Sequence, residues 1–305
     1  MKPNWYLDPL VAAQKRDVHL QWIARNVPAG WRIRAVLKTD LFEEAYGEDQ
    51  LLWSLPFEAD LKAGLDLNSA TVARAARRES GSACRFMQAD VRRLPLRDRS
   101  LDVVLSNSTL DHFNAEREIE DSLRELVRVL KPGGTLLVTL DNPRNPLFLL
   151  FRAAAGCMGL SFSFGKTLPL CKLLSILERE GLQVESSDLL IHNPRFVSTL
   201  LFCGLRRTLG RRADGPIGWL LRAFSQLGRL PTRGFTGAFV AACARKPGGN
   251  LRESELAATA ARVSGNMKFS PQTCSVSKQP VNRMESAWWP RSPDFPLEFP
   301  FPWTR

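Results

Sequence analysis

Histidines and paired cysteines are scarce in this chain, and their scarcity argues against a metal site. Among the 305 residues are three histidines, two tyrosines and six cysteines, and no two cysteines form a C-x-x-C pair. Metal centres in proteins use histidine and cysteine ligands at short, regular spacings. The sequence therefore implies no metal site, and the scattered cysteines are typical of reduced core thiols in a cytosolic protein.

The chain also has no signal-peptide pattern and no recognisable nucleic-acid motif. Its net charge is +11 and its pI is near 9.8, but the arginines are spread over several segments. Basic residues do not alternate with aromatic ones as in RNA-binding motifs, so we expect no nucleic-acid partner. Because the amino terminus has no continuous apolar core, we expect a cytoplasmic protein, with the inner face of an anionic membrane as an alternative location.

Three parts of the chain differ in composition. Residues 1–30 predict a helical segment, with apolar residues recurring between positions 8 and 26. Residues 31–247 have the apolar content and strand–helix alternation of an α/β domain. Residues 248–305 have weak periodicity and end in alternating prolines and aromatics, which predicts a disordered tail.

The stretch from Cys84 to Asn142 shows the α/β pattern most clearly. An apolar run ends at Asp90 and a second run, from Ser100, ends at Asn107. Apolar residues then recur at helical spacing from Asn114 onward, and we expect the sequence "KPGG" at 131–134 to end that helix before the next strand.

Small polar and acidic residues follow these strands where each of them ends. In open α/β sheets, ligands bind beyond the carboxyl ends of the strands. We therefore expect five side chains to face one cleft, namely Asp90, Ser106, Asn107, Asp141 and Asn142.

The segments "ADVRRLPLRDRSLDVVLSNSTLDHF" and "LRELVRVLKPGGTLLVTLDNP" resemble class I S-adenosylmethionine-dependent methyltransferases, most closely the branch that includes ubiquinone and menaquinone biosynthesis methyltransferases. With "AGLDLN" upstream, the resemblance covers about residues 31–142. It implies a Rossmann-like α/β fold, with a mostly parallel seven-stranded sheet and an antiparallel edge strand. It also implies S-adenosylmethionine as cofactor.

The resemblance assigns roles to residues that match the family pattern. Asp66, with Leu67 beside it, corresponds to the acid that binds the cofactor's ribose hydroxyls, and a carboxylate can accept both hydrogen bonds. Asp90 corresponds to the acid that receives the adenine amino group, with Val91 covering the ring. Solvated strand ends and an Asx turn are the alternatives for the two acids.

Two polar residues at the end of the fourth strand complete the assignment. Ser106 and Asn107 lie where the family holds the methyl donor and acceptor. Capping of the strand end is the alternative for this pair.

The sequence departs from the family at the loop after the first strand, Ile33 to Thr39. There "DLFEEAYG" replaces the expected G-x-G-x-G. In one interpretation Lys38 and Thr39 bind the methionine carboxylate, while Asp40 or a neighbouring glutamate receives its amino group. In the other, the bulky loop fills the pocket and the domain is a non-catalytic scaffold.

Methyl transfer needs alignment of donor and acceptor more than acid–base chemistry. If the acceptor is a hydroxyl, His112 or Asp111 could take its proton, since both follow the fourth strand. The alternative is that both residues only lead into the next helix.

Two apolar insertions interrupt the expected order of elements, at about residues 146–165 and 194–230. The second mixes apolar residues with arginines, which suits either a lid over the cleft or a surface that contacts anionic lipid. Their positions favour a small, hydrophobic or lipid-like acceptor. We therefore expect an S-adenosylmethionine-dependent methyltransferase acting on such an acceptor by in-line displacement, with the scaffold as alternative. A nicotinamide dehydrogenase is poorly supported because the first turn lacks phosphate-binding glycines.

Overall fold

A seven-stranded sheet forms the centre of the protein. The structure, a computed structural model, describes residues 8–28, 30–79, 84–150 and 165–248. The strands, in chain order β1 to β7, are Ile33–Thr39, Ala59–Asp66, Cys84–Gln88, Leu101–Asn107, Leu130–Asp141, Gln183–Leu190 and Phe239–Arg245. All but the first residue of the expected disordered tail lie outside these ranges, as do residues 151–164 of the first insertion.

The strand order is β3-β2-β1-β4-β5-β7-β6. Neighbouring strands from β3 through β5 are parallel, whereas β7 runs antiparallel to both β5 and β6. This confirms the expected mostly parallel sheet with an antiparallel hairpin at one edge. The reversed strand is β7, which lies one place in from the edge formed by β6. The strand order reverses between β1 and β4, because β2 and β3 lie on one side of β1 and the later strands lie on the other. A ligand crevice is expected beyond the carboxyl ends of β1 and β4.

Helices cover the sheet and follow the predicted order. In chain order, α1 to α8 are Pro9–Asn26, Phe42–Tyr46, Ser69–Arg78, Glu116–Val129, Leu170–Arg179, Arg195–Leu209, Asp214–Ser225 and Arg233–Thr236. The expected amino-terminal helix is confirmed as α1, which begins after Asp8 because that side chain accepts a hydrogen bond from the Leu10 amide at 3.0 Å.

The "KPGG" sequence does not form a loop between α4 and β5. The helix ends at Val129 and β5 begins at once at Leu130, so these four residues belong to the strand. Gly133 has φ of +82°, and its amide donates to the Lys246 carbonyl at 2.7 Å. The left-handed glycine therefore lies within β5 and does not close α4, whose C-cap, Leu130, has an extended backbone.

The apolar run from Phe235 to Ala244 predicts the last strand, which in the structure begins four residues later. Residues 235 and 236 belong to the short helix α8, and β7 begins at Phe239. The third strand likewise ends at Gln88 rather than Asp90, which instead forms an isolated bridge with Arg93. Element ends are set by local hydrogen bonds that apolar periodicity does not encode.

The second insertion contains α6 and α7, and its buried side packs on α1. Phe202 of α6 and Ile217 and Leu221 of α7 form a small apolar cluster with Leu10 and Val11 of α1. Polar contacts support this packing, since Arg206 binds Asp8 and Gln14 donates to the Leu221 carbonyl at 3.3 Å. Within the described residues, no helix has both the length and the apolar character needed to cross a membrane.

Candidate active site

The loop after β1 is organised by one fully buried ammonium group. Lys38 Nζ donates to the Asp40 carbonyl at 2.6 Å and to the carboxylates of Glu44 and Glu43 at 2.8 and 3.2 Å. Burial alone would lower the pKa of Lys38, but Glu44, Glu43 and Asp40 raise it above its usual value. Its three donors are matched by three acceptors of the protein.

This geometry corrects the expected role of Lys38. Its side chain is fully buried, and its donors are engaged by the loop itself, so it does not offer a charge to a methionine carboxylate. Glu44 continues the network by accepting from the amides of Leu51 and Leu52 at 3.1 and 2.9 Å. Lys38 therefore holds the loop in shape.

The network reaches α1 through a second lysine. Lys15 Nζ lies 3.1 Å from Glu43 Oε1 and 2.6 Å from Asp49 Oδ2. Burial would raise the pKa of Glu43, but Lys38 and Lys15 outweigh it and hold that pKa well below its usual range. The loop is thus fixed from the sheet by Lys38 and from the covering helix by Lys15.

Asp40 takes the backbone conformation that a glycine would supply. Its φ is +66°, in the left-handed region that aspartate tolerates better than most residues. Its carboxylate accepts from the Phe42 amide at 2.6 Å, in an Asx-type turn that leads into α2. Burial, reinforced by Glu43 and only partly opposed by Lys38, raises the pKa of Asp40 to about 7.

One bulky residue of the loop, Leu41, points into the core, whereas Phe42 and Tyr46 are 48% and 43% exposed. Leu41 is fully buried against β2, where a methyl group added to Gly64 would lie 2.5 Å from Leu41 Cδ2. Ala45 is also fully buried in the same core as Leu52. The space for Leu41 comes from a glycine in the neighbouring strand, so this side chain does not fill the crevice beyond the strand ends.

Thr39 and Ser106 lie beneath the crevice, at the paired ends of β1 and β4. Thr39 Oγ1 donates to Ser106 Oγ at 3.1 Å and lies 2.7 Å from Thr109 Oγ1. Both residues are fully buried. Their hydroxyls join the strand ends to each other, which agrees with the strand-capping alternative.

Asp66, at the end of β2, is half-buried and keeps unused acceptor positions. Its Oδ2 accepts from the Leu41 amide at 3.1 Å and its Oδ1 from the Asn68 amide at 2.8 Å. A carboxylate has about four acceptor positions, so each oxygen retains one. Burial raises the pKa of Asp66, and the two amides and Lys38 only partly oppose it. Leu67 beside it is exposed.

Asp90 is engaged by a neighbouring guanidinium. Arg92 donates to both carboxylate oxygens, at 3.0 Å from Nε and 2.7 Å from Nη2, and its amide donates to Oδ1 at 2.9 Å. Burial would raise the pKa of Asp90, but these bonds outweigh it and lower the pKa. Val91 is buried. An adenine amino group can bind Asp90 only where it displaces one of the Arg92 donors.

Asn107 and Asp111 each keep one buried polar atom without a hydrogen-bond partner among the described residues: Asn107 Nδ2 and Asp111 Oδ1. The other atom of Asn107 accepts from Thr139 Oγ1 at 2.9 Å. Asp111 Oδ2 accepts from Ser108 Oγ at 2.9 Å and from the Asp141 amide at 2.7 Å. Burial, and then Asp141, raise the pKa of Asp111 to about 6.

The other predicted cleft residues are divided between surface and core. His112 is exposed, although it shares a 3-10 turn with the buried Asp111. Asn142 is buried and donates to the carbonyls of Gly234 and Gly237 at 3.0 and 2.9 Å. The expectation that Asn142 faces the cleft is wrong, because it joins β5 to the segment before β7.

The family model described as a methyltransferase domain matches residues 55–138, from the lead into β2 to β5. Over this segment the chain is similar to the methyltransferase-domain family. The cofactor of that family is S-adenosylmethionine, as expected.

Curated relatives are similar over part of this domain. Phthiotriol/phenolphthiotriol dimycocerosates methyltransferase 1 of Mycobacterium ulcerans is 39% identical over 87 residues, 28% of this chain and 30% of the relative. The C-methyltransferase UbiE of ubiquinone/menaquinone biosynthesis in Ectopseudomonas mendocina is 46% identical over 63 residues, 20% and 23% of the two chains. The chain thus spans less than a third of these relatives.

Solved structures of the same fold cover most of the chain. An S-adenosylmethionine-dependent methyltransferase of Mesorhizobium loti superposes with a TM-score of 0.51 at 18% identity, over 76% of this chain and 100% of the other. One of Thermotoga maritima gives 0.50 at 16% identity, over 78% and 92%. At these identities the likeness establishes the fold of the methyltransferase domain.

Three features of the site were missed from the sequence. The pairing of Leu41 with Gly64 joins the loop after β1 to strand β2 and leaves no local signal. The contact of Lys15 with the loop is likewise long-range. Arg92 follows Asp90 by two residues, and that spacing is a signal for the observed ion pair.

The packing of Leu41 over Gly64 predicts a non-additive pair of substitutions. Gly64→Ala should lower the free energy of unfolding by about 1–3 kcal/mol because its methyl group overlaps Leu41. In the Leu41→Ala background the same change should cost much less, since the overlapping methyl is gone. Urea unfolding of the four proteins measures the coupling, and additive effects would contradict the packing.

Buried Asp111 predicts a pH dependence of stability. Its pKa of about 6 lies above that of an unfolded aspartate, so the folded state holds the proton more tightly and stability falls as pH rises from about 4 through 6. Asp111→Asn should reduce this fall by about 2–3 kcal/mol. Urea unfolding at a series of pH values measures it, and identical profiles for the two proteins would contradict the assignment.

Proposed function

We propose that this chain is an S-adenosylmethionine-dependent methyltransferase acting on a small, hydrophobic acceptor. One observation carries the proposal: Lys38 holds the glycine-poor loop against β1, and the leucine of that loop, Leu41, is turned into the core beside Gly64. Leu41 therefore does not occupy the crevice expected at the switch between β1 and β4, and Asp66 would border that crevice with unused acceptor positions.

Four residues would hold the cofactor in this proposal. Asp66 would accept from the ribose hydroxyls. Asp40 would receive the methionine amino group, since among the described residues its carboxylate accepts from the Phe42 amide alone. Asp90 and Val91 would border the adenine, with Arg92 exchanging one of its donors. Thr39 and Ser106 would support this arrangement from below, through the hydroxyl chain that joins β1 to β4.

When bound, the cofactor would supply an activated methyl group for in-line transfer to the acceptor. The protein's work is to align the acceptor, exclude water and take the acceptor's proton where there is one. We assign the uptake of the acceptor's proton to Asp111 rather than to the exposed His112. Asp111 is buried, its pKa is about 6, and its Oδ1 has no hydrogen-bond partner among the described residues.

The names of relatives support an apolar acceptor. They include a dimycocerosates methyltransferase and a fatty-acid O-methyltransferase of Mycolicibacterium smegmatis, the second 38% identical over 81 residues. Leucines at 147, 149 and 150 are exposed just after the carboxyl end of β5, on the side where the acceptor would bind. Lipid-like molecules reside in membranes, so peripheral contact with an anionic membrane is part of the proposal.

A non-catalytic scaffold is the second candidate. It is favoured by the contacts that already occupy the two cofactor acids, from the Leu41 amide to Asp66 and from Arg92 to Asp90. In a scaffold these contacts are permanent, whereas in an enzyme they yield to or coexist with the cofactor.

Calorimetric titration with S-adenosylmethionine and S-adenosylhomocysteine distinguishes the two functions. We expect both to bind the wild type. Asp66→Ala should weaken binding at least about tenfold, because it removes charge-assisted hydrogen bonds worth about 1.5–3 kcal/mol. The matched control is Asp60→Asn on the same strand, whose carboxylate pairs with Arg32 at the exposed opposite end. Absence of binding by a folded wild type would support the scaffold.

The pKa of Asp40 predicts how affinity changes with pH. Because Asp40 ionises near pH 7, its attraction for a cationic amino group should grow as pH rises from about 5.5 to 7.5, by about tenfold. Asp40→Asn should flatten this profile, and asparagine also tolerates the left-handed backbone. The same calorimetry at several pH values tests it, and an equally steep profile in the variant would remove Asp40 from the proposed site.

A further inference from the structure

Exposed apolar side chains gather near the end of the crevice where the acceptor would bind. Leu147, Leu149 and Leu150 are 39%, 50% and 70% exposed, and Phe235 is 60% exposed. We call these four residues the apolar rim. Single exposed apolar side chains are common on protein surfaces, whereas several that lie close together mark an interaction site.

A buried asparagine joins the two segments that carry the rim. Asn145 Oδ1 accepts from the Leu147 amide at 3.0 Å, while its Nδ2 donates to the carbonyls of Thr236 and Gly237 at 3.4 and 3.2 Å. Asn142 ties the same segments by donating to Gly237. The segment that carries the three leucines and the segment that carries Phe235 are therefore held next to each other.

Arginines accompany the rim, and few acids do. Arg144 directly precedes the leucine segment and is exposed, as are Arg229 and Arg233 near Phe235. Arg233 has a distant ion pair with Asp188 at 4.0 Å, and for Arg144 and Arg229 no ion pair is found within the described residues. In the sequence from residue 195 to residue 236 there are eight arginines and one acid, Asp214.

We propose that the apolar rim, with Arg144, Arg229 and Arg233, docks on an anionic lipid bilayer. The side chains can enter the boundary between headgroups and acyl chains while the guanidinium groups bind lipid phosphates. Charge complementarity distinguishes this partner from a neutral protein surface. Docking specifies the membrane contact named in the proposed function, and the vesicle test measures it without reference to methyl transfer. That the acceptor reaches the crevice from the same bilayer rests on the proposed function.

The test is co-sedimentation of the full chain with vesicles. Phosphatidylcholine vesicles should retain little protein, and vesicles that also contain phosphatidylglycerol should retain most of it, with retention falling as salt is raised. Leu150→Ser combined with Phe235→Ser should weaken binding at least about tenfold. Arg144→Gln combined with Arg233→Gln should weaken it and reduce the salt dependence.

Leu200→Ser is the matched control, because Leu200 lies on α6 and is 76% exposed. It should bind vesicles like the wild type. Three outcomes would overturn the proposal: no retention of the folded wild type, equal retention on both vesicle types, or a loss with Leu200→Ser that the rim variant does not show. Titration of the same samples with S-adenosylhomocysteine separates the proposals, since rim variants should keep their cofactor affinity even where vesicle binding is lost.

Discussion

The ammonium of Lys38 is the constraint on which the site depends. A fully buried charge is costly unless all its donors are paired, and here each is: one by the Asp40 carbonyl, one by Glu44 and one by Glu43. The loop cannot move away from β1 without leaving that charge unpaired. The function of a glycine-rich turn, which is to approach the ligand closely, is replaced by an ionic anchor that fixes the turn in place.

This anchor has consequences for both neighbouring layers. On the side of the sheet, Leu41 of the fixed turn packs against β2, and the absence of a side chain at Gly64 leaves room for it. Toward the surface, Glu43 and Asp49 receive Lys15 of α1, and α1 in turn carries the helices of the second insertion. The proposed donor site and the helical layer are therefore connected through a few buried or half-buried charges.

The sequence was sufficient to predict the sheet, because apolar periodicity is a local signal. The first strand was predicted with its observed ends, Ile33 and Thr39. The partners of Lys38 were not, since periodicity does not show whether a strand-end lysine turns inward. Asn142 was misplaced for the same reason: its partners, at 234 and 237, come from a distant part of the chain.

The most direct test removes the anchor while leaving the fold. In the double variant Lys38→Met, Glu44→Gln both charges disappear, the glutamine still accepts from Leu51 and Leu52, and Glu43 keeps Lys15. We would titrate this variant with S-adenosylhomocysteine after confirming its cooperative unfolding. The account predicts an affinity at least about tenfold below that of the wild type, a loss of about 1.4 kcal/mol or more. Wild-type affinity in the folded variant would contradict it.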